Sequence, residues 1–573
     1  MKTRVMIWAN YRRGAAIAVP APFDDGGPHV PWWYDRISEM AHDWASHGVT
    51  DVLFPNPLKT NAGAFKGADG YGPYDDYDIG SKVTSQFGGQ PTRFGTAEQL
   101  RRAIAICRAN GLNVFIDHVM HQRMGGHNGV YRYSSATGKD NGRFPKDPPC
   151  FRGNPPRVPQ DPVPDVPDDF AFGDELCPIN AIPHDYVAQG LIAAGDWLFR
   201  TLGIQGARLD DMKGMNTGFI TRFMTSGAMK DKWFFGEYAS GNRDDTNWWV
   251  DQVHGLASAF DFNFHYEMVQ PMCNNAGNFF MGWLAHSGMI GNNPMKAVPF
   301  VESMDSDTNG FATIVFNKEL GYALLLGGEG FPLIYIRDYL PEADCYGLIR
   351  PIDNLLWCLY RLAHGSTIPR LANNPRVYVF ERTGDPGLIV TLSNDVFNSA
   401  WNTVTVQTNF GPNVEIKDYT GHNQAHSWTS GDGQLTVGVP PAANGVGYGL
   451  WSRVGLDTTI PVHGERCTQV FFGAEDLDIG PITTQVLTVG RIWCAKNTLI
   501  EHNVEFDQNL VAHMNIIGPD GTQLTQPFHT LLEGWHTITL QALSFTDSTK
   551  VSARFWLTIT YEAPQHFTLP RNQ

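Results

Sequence analysis

The sequence predicts an α/β fold: a (β/α)8 TIM barrel with a subdomain inserted after its third strand, followed by two all-β sandwich domains. Three observations predict it. Strand-like and helix-like stretches alternate eight times over roughly 370 residues, the pattern of a parallel sheet closed into a barrel. The alternation lapses between about 119 and 185, where Gly, Pro, Arg and Asp run without a period over a span too long for an ordinary loop. Near Arg376 the pattern changes to short alternating strands between turns, the mark of β-sandwiches.

The elements follow in order. An apolar strand at 5–8 opens the chain. A loop from Gly26 to Trp33 leads to a helical period at 34–47, then a second strand at 51–55. A loop rich in Gly, Tyr and Asp spans 61–93. Thr96 with Gln99 three residues on forms a capping box that starts a helix, and Asn110-Gly111 ends it. The third strand is 113–117. After the insertion come a helix at 186–202, a strand at 206–210, a helix near 217–225 and a strand at 232–237. Stretches at 244–255, 257–262 and 297–301, a helix around 311–326, a strand at 332–336 and a helix at 351–363 complete the eight pairs. Strands at 377–382, 388–392, 403–407, 414–418 and 434–439 form one β-module; 481–489, 499–506, 511–517, 534–543 and 551–561 form the next. The expected division is a barrel in 1–118 and 186–375, an inserted subdomain in 119–185, an all-β domain in 376–455 and a C-terminal β-sandwich in 456–573.

Composition narrows the partners. The 573 residues carry a formal net charge of −16, with 42% hydrophobic and 12% aromatic content. Such a chain lacks the basic face that nucleic acid or an anionic membrane surface requires, and it suits a neutral ligand. No apolar run is long enough to cross a membrane. Met1-Lys2-Thr3-Arg4 leads straight into a strand, without the apolar core or cleavage site of a signal peptide. A cytoplasmic location is therefore expected, or secretion if a leader preceded this chain. The eight cysteines are scattered with no C-x-x-C pair, which argues against a disulfide framework or a zinc site. Nothing in the pattern marks an oligomeric state.

The chemistry concentrates at strand ends. Gly206-Ala207-Arg208-Leu209-Asp210 ends the fourth strand, and alternation puts Arg208 and Asp210 on one face. A permanent cation beside a carboxylate keeps it ionised and aimed, as a nucleophile must be. Glu237 ends the fifth strand behind Trp233-Phe234-Phe235-Gly236, an apolar approach that raises a carboxyl pKa and suits a general acid. Asp305 follows the seventh strand in Phe300-Val301-Glu302-Ser303-Met304-Asp305. Barrel active sites sit at the C-terminal strand ends. A nucleophile and a raised-pKa acid on adjacent strands make a retaining glycosidase pair.

These three segments and three others resemble the α-amylase family, glycoside hydrolase family 13. Residues 206–213 are similar to its nucleophile segment, 235–238 to its acid segment and 300–305 to its third-carboxylate segment. Phe115-Ile116-Asp117-His118-Val119 resembles the third-strand segment. Asp69-Gly70-Tyr71-Gly72-Pro73-Tyr74-Asp75-Asp76-Tyr77-Asp78 is similar to a loop of bacterial liquefying-type α-amylases. Gly330-Phe331-Pro332 with Asp338-Tyr339 resembles the eighth-strand segment. The six segments lie in the family's order within about residues 1–450.

The resemblance implies a retaining α-glucan hydrolase that cleaves internal α-1,4 bonds of starch or maltooligosaccharides by double displacement. Transglycosylation on α-glucans is the alternative, and a weakly active or non-catalytic glucan-binding protein the second alternative. It also implies roles. Asp210 attacks the anomeric carbon, Glu237 protonates the leaving oxygen and then deprotonates water, and Asp305 holds sugar hydroxyls. Arg208 and Asp117 orient the nucleophile region, Tyr71 stacks under the sugar, and Lys213 reaches the leaving-group side. Two departures stand out: the family's Asn-His after the third strand is His121-Gln122 here, and the His before the third carboxylate is Met304. His121 and Gln122 stay in the expected substrate-binding set, since an amide can still donate; Met304 cannot. Losing one polar contact costs about 1–3 kcal/mol. No cofactor is expected. The family's calcium ion wants six to eight hard oxygens, but His121 stands at its Asn and Pro178-Ile179-Asn180 lacks its carboxylate. That site is therefore expected to be absent.

Overall fold

The computed structural model describes residues 4–13, 17–22, 30–61, 68–80, 91–133, 144–152, 173–178, 185–275, 278–286, 288–308, 312–342, 344–458, 460–462, 466–473, 486–506, 510–545, 555–562 and 567–569. Eight short parallel strands form the barrel: β1 (Met6–Trp8), β2 (Asp51–Phe54), β3 (Asn113–His118), β4 (Gly206–Leu209), β5 (Trp233–Gly236), β6 (Ala257–Phe260), β7 (Ala297–Val298) and β8 (Leu333–Tyr335). Each neighbours the next, and β8 pairs with β1. A parallel bridge from Phe300 to Leu333, with the Leu333 amide donating to the Pro299 carbonyl at 3.0 Å, closes β7 onto β8. Strands covered on both faces need continuous apolar runs rather than alternation, and β1, β2, β4 and β6 are buried throughout.

The surrounding helices are α1 (Trp33–Ser46), α2 (Ala97–Ala109), α3 (Tyr186–Leu202), α4 (Thr217–Met224), α5 (Arg243–Gln252), α6 (Gln270–Asn274), α7 (Lys318–Gly327) and α8 (Ile349–Leu362). The capping box forms as the sequence predicts. The Gln99 amide donates to Thr96 Oγ1 at 3.2 Å, and the Thr96 amide to Gln99 Oε1 at 2.9 Å. Gly111, at φ +78°, takes the left-handed position that ends the helix. Two stretches differ from expectation. α7 starts at Lys318 rather than near 311, because Asn274 Oδ1 accepts the Val315 amide at 2.9 Å and Asn317 is left-handed at φ +51°. Between β6 and α6, Phe264–Val269 winds as a π-helix, a local widening that side-chain periodicity does not show.

In the insertion, Gln122–Arg123 pairs antiparallel with Asp174–Glu175. The buried carboxylate of Asp76 lies between Arg123 and Lys146, with Lys146 Nζ at 2.5 Å from Oδ2. The acidic run Asp161, Asp165, Asp168 and Asp169, and Ile179-Asn180, lie outside the described residues.

Beyond the barrel, Thr367–Leu371, Val377–Arg382, Leu388–Ser393, Tyr448–Arg453, Glu415–Asp418 and Ser427–Trp428 make a six-stranded antiparallel sheet. It shares a core that includes Val379, Ile389, Val404, Val437 and Trp451 with the pair Asn402–Gln407 and Gln434–Val439. Two three-stranded sheets follow, Arg466–Gly473 with Phe555–Glu562 and Glu501–Phe506, and Val486–Cys494 with Gly534–Phe545 and Leu510–Ile517. Ala105 of α2 is buried in the same cluster as Ile492 and Ile538, so this last sandwich packs on the barrel.

Candidate active site

The strand order brings the C-terminal ends of β3, β4, β5 and β7 to one mouth of the barrel. Arg208, on β4, is 1% exposed and sits among the rings of Trp8, Phe260 and Tyr71, with its guanidinium carbon 4.9, 5.6 and 5.7 Å from their centroids. Ring faces hold a desolvated cation without competing for its hydrogens. The hydrogens on Nη1 and Nη2 go to carboxylates. Nη1 donates to Asp117 Oδ1 at 2.5 Å and to Asp210 Oδ1 at 2.8 Å; Nη2 lies 2.6 Å from Glu237 Oε2 and 3.9 Å from Asp305 Oδ2. The hydroxyl of Tyr71 donates to Asp117 Oδ2. Thus Arg208, Asp117, Tyr71, Asp210, Glu237 and Asp305, six of the nine residues singled out above, meet around one guanidinium.

Burial sets the electrostatics. It pushes the carboxyls up against the pull of Arg208: Asp117 to about 6, Asp210 to about 7 and Glu237 to about 7, with the neighbouring carboxylates adding to the rise. Three carboxyls sharing one cation titrate together, so the cluster keeps a proton near neutral pH. Asp305 is more open, its side chain 45% exposed. Its turn is held from both sides: the Ser303 amide donates to Ser306 Oγ at 2.9 Å, and Asp307 is gripped by Arg337, Tyr335 and Tyr346.

A cleft of about 540 Å³ opens over this cluster, lined among others by Tyr71, Gln122, Asp210, Glu237 and Asp305. Asp117 and Arg208 lie beneath it. Gln122 gives an amide hydrogen to the Tyr71 carbonyl at 3.0 Å, which steadies the ring. His121 is buried behind Asp211, with Nδ1 3.2 Å from its Oδ2 and 3.0 Å from Gln122 Oε1. Lys213 stands in the turn Met212–Gly214 and is not among the described residues lining the cleft. Met304 is fully buried.

Two contributors escaped sequence reasoning. Asp211, which strand alternation sets off the Asp210 face, lines the cleft. It adopts φ +47°, and its amide donates to Glu237 Oε2 at 3.0 Å. A left-handed non-glycine residue carries local strain; here it aims an N–H at the acid of the neighbouring strand. Arg12 also lines the cleft, paired with Asp69 at 2.5 Å. Its signal was a charged pair, Arg12-Arg13, just past the first strand at the mouth of a barrel.

Calcium is the metal the resemblance brings to mind. Among the described residues, the side chains around His121 offer one imidazole, one amide and one carboxylate, where that ion takes six to eight oxygens. Among the described residues, no group of three or more His, Cys, Asp or Glu is arranged to hold a metal. Nor is any described helix long and apolar enough to cross a membrane.

No family model matches the chain. Among curated proteins it is 24% identical over 482 residues to a glucan 1,4-alpha-maltohexaosidase of Bacillus sp. (strain 707), covering 73% of this chain and 89% of that one. It is 24% identical over 501 residues to the cytoplasmic alpha-amylase of Escherichia coli (strain K12), covering 75% and 96%. Its fold matches a gamma-CGTase from Alkalophilic bacillus clarkii with a TM-score of 0.60 at 15% identity, covering 100% of this chain and 97% of that one. In sequence and in fold, this chain resembles the α-amylase family, glycoside hydrolase family 13, and it is a glycoside hydrolase of the α-amylase type.

Proposed function

We propose that the chain cleaves internal α-1,4-glucosidic bonds of starch or maltooligosaccharides by double displacement, with retention at the anomeric carbon. The observation that carries this is the convergence of Asp210 and Glu237 on adjacent nitrogens of Arg208. A retaining pair needs its carboxyls close; an inverting pair needs room between them for water. Asp210, with Oδ1 on Arg208, attacks the anomeric carbon. Glu237 takes both the Arg208 and the Asp211 contacts on Oε2, which leaves Oε1 to carry the proton given to the leaving oxygen. Once the leaving sugar departs, Glu237 takes a proton from water, which attacks the glycosyl–Asp210 bond. Asp305 accepts hydrogen bonds from sugar hydroxyls, and Tyr71 supplies a ring against the sugar's apolar face.

A second reading, transfer to a sugar acceptor, is favoured by one feature of the cleft. Phe262 and Tyr266 line its wall beside Glu237, stacked at 6.0 Å and 12°. Such a surface can hold an acceptor sugar where water would otherwise enter. Incubation with maltoheptaose, with products followed by NMR from the first turnover, tests both. Fresh α-anomer supports retention and fresh β-anomer overturns it; products longer than maltoheptaose mean transfer.

A further inference from the structure

We infer that Arg12 is a specificity-determining residue that donates a hydrogen bond to a hydroxyl of the sugar bound in the cleft, an inference that rests on the α-glucan reading of this site. Arg12 lies in the two-residue strand Arg12–Arg13, which pairs with Ile17–Ala18 directly after β1. The root of this hairpin is rigid: Trp33 Nε1 donates to the Ala9 carbonyl at 2.7 Å, and the rings of Tyr11 and Trp33 meet edge to face at 5.6 Å. The guanidinium is then held by one carboxylate. Asp69 places Oδ2 at 2.5 Å from Arg12 Nη2, while its Oδ1 accepts the Tyr71 amide at 3.1 Å. One aspartate therefore ties Arg12 to the residue whose ring faces the substrate, and the guanidinium carbon stands 5.5 Å from that ring's centroid.

What remains of Arg12 points to a ligand. Its side chain lines the cleft and stays 23% exposed, while the ion pair with Asp69 engages Nη2. A partly exposed guanidinium at a cleft wall exchanges water for a substrate acceptor when the sugar arrives. That acceptor is a neutral hydroxyl, because Asp69 already answers the charge. The need is also specific to this chain. Met304 is buried and offers no donor, and Gln122 spends an amide hydrogen on Tyr71, so a donor from the hairpin after β1 takes up the task. Asp210 acts electrostatically on Arg12, so the cation also favours the ionised form of the nucleophile.

The test is kinetic. Wild-type, Arg12→Met and Arg12→Lys enzymes are assayed on maltoheptaose across pH, and on p-nitrophenyl α-glucoside and its monodeoxy derivatives. Thermal melting reports folding, and Arg12→Lys serves if Arg12→Met does not fold. A wild type inactive on both substrate types rejects the α-glucan reading itself. With an active wild type, Arg12→Met is expected to lose roughly tenfold to a hundredfold in kcat/KM. The acid limb of its pH profile is expected to move upward, and Arg12→Lys to keep the limb in place. Direct contact further requires that one monodeoxy substrate and Arg12→Met be non-additive, the second loss adding little to the first. A folded Arg12→Met enzyme within twofold of wild type, or full additivity with every monodeoxy substrate, overturns the inference.

Discussion

Two buried ionic clusters in this molecule have opposite composition. Around Arg208, one guanidinium serves Asp117, Asp210 and Glu237, and the acids are pushed up to about 6, 7 and 7. Around Asp76, one carboxylate serves Arg123 and Lys146, and its pKa is driven well below the ordinary carboxylate range although it is just as buried. Burial opposes the charged form in both places. The balance of partners decides the outcome, because the group in the minority keeps its charge and the surplus groups must share protons. The first arrangement stores a proton near neutral pH for use in chemistry. The second is a closed clamp that joins the insertion to the loop after β2.

The largest effect that tests this contrast is catalytic. Glu237→Gln and Asp210→Asn should each lower kcat on soluble starch by about 10²–10⁴-fold or more, the usual range for removing an acid or a nucleophile. Asp76→Asn should leave kcat within a few-fold wherever the protein stays folded. Near-wild-type rates in folded Glu237→Gln would remove the cluster's claim to function.

Stability separates the clusters more sharply, because the same Asp→Asn exchange should act with opposite sign. Asp76→Asn leaves two buried cations without their carboxylate, at a cost of about 3–5 kcal/mol. Asp76 is depressed in the folded state, so its stabilisation is present above the ordinary value of about 3.9 and is lost as pH falls through the lower folded value. The melting-temperature gap between Asp76→Asn and wild type should therefore close only in strong acid. Asp210 is raised instead, from an unfolded value of about 3.9 to about 7. Its cluster destabilises the fold increasingly as pH rises through that window. Asp210→Asn should melt higher than wild type at pH 8 and level with it at pH 4. A lower melting point for Asp210→Asn at pH 8 breaks the comparison.

The pH–rate profile should show the stored proton directly. Glu237 must enter the reaction protonated and is pushed up to about 7, so kcat should fall about tenfold per unit as pH rises above that value. An alkaline limb near 4–5, where an unperturbed Glu titrates, would mean that burial does not tune the acid. The smallest expected effect is none. With Lys146 and Arg123 as built-in cations and no oxygen cage at His121 among the described residues, we propose that EDTA changes neither activity nor melting temperature; a drop that calcium restores would show a metal site.

Much of this was legible because it is local. The capping box of Thr96 and Gln99 and the Arg208–Asp210 pair each lie within a few residues, where periodicity fixes geometry. The apolar run at 5–8 marked β1 for the same reason. The start of α7 was not legible, because Asn274, some forty residues away in sequence, draws the 315–316 amides into a loop.

By itself the sequence determined the barrel, the insertion after its third strand, the β-sandwiches beyond it, and which carboxylates stand at the strand ends. Those follow from repeat, composition and short-range spacing. Only the tertiary structure decided how the charges are matched. Arg12 meets Asp69 across 57 positions, Arg208 meets Asp117 across 91, and Lys146 meets Asp76 across 70. No periodicity links residues that far apart. Chain closure brings them together, and the shifted pKa values of Asp117 and Asp76 come from the burial and the charged partners that closure supplies.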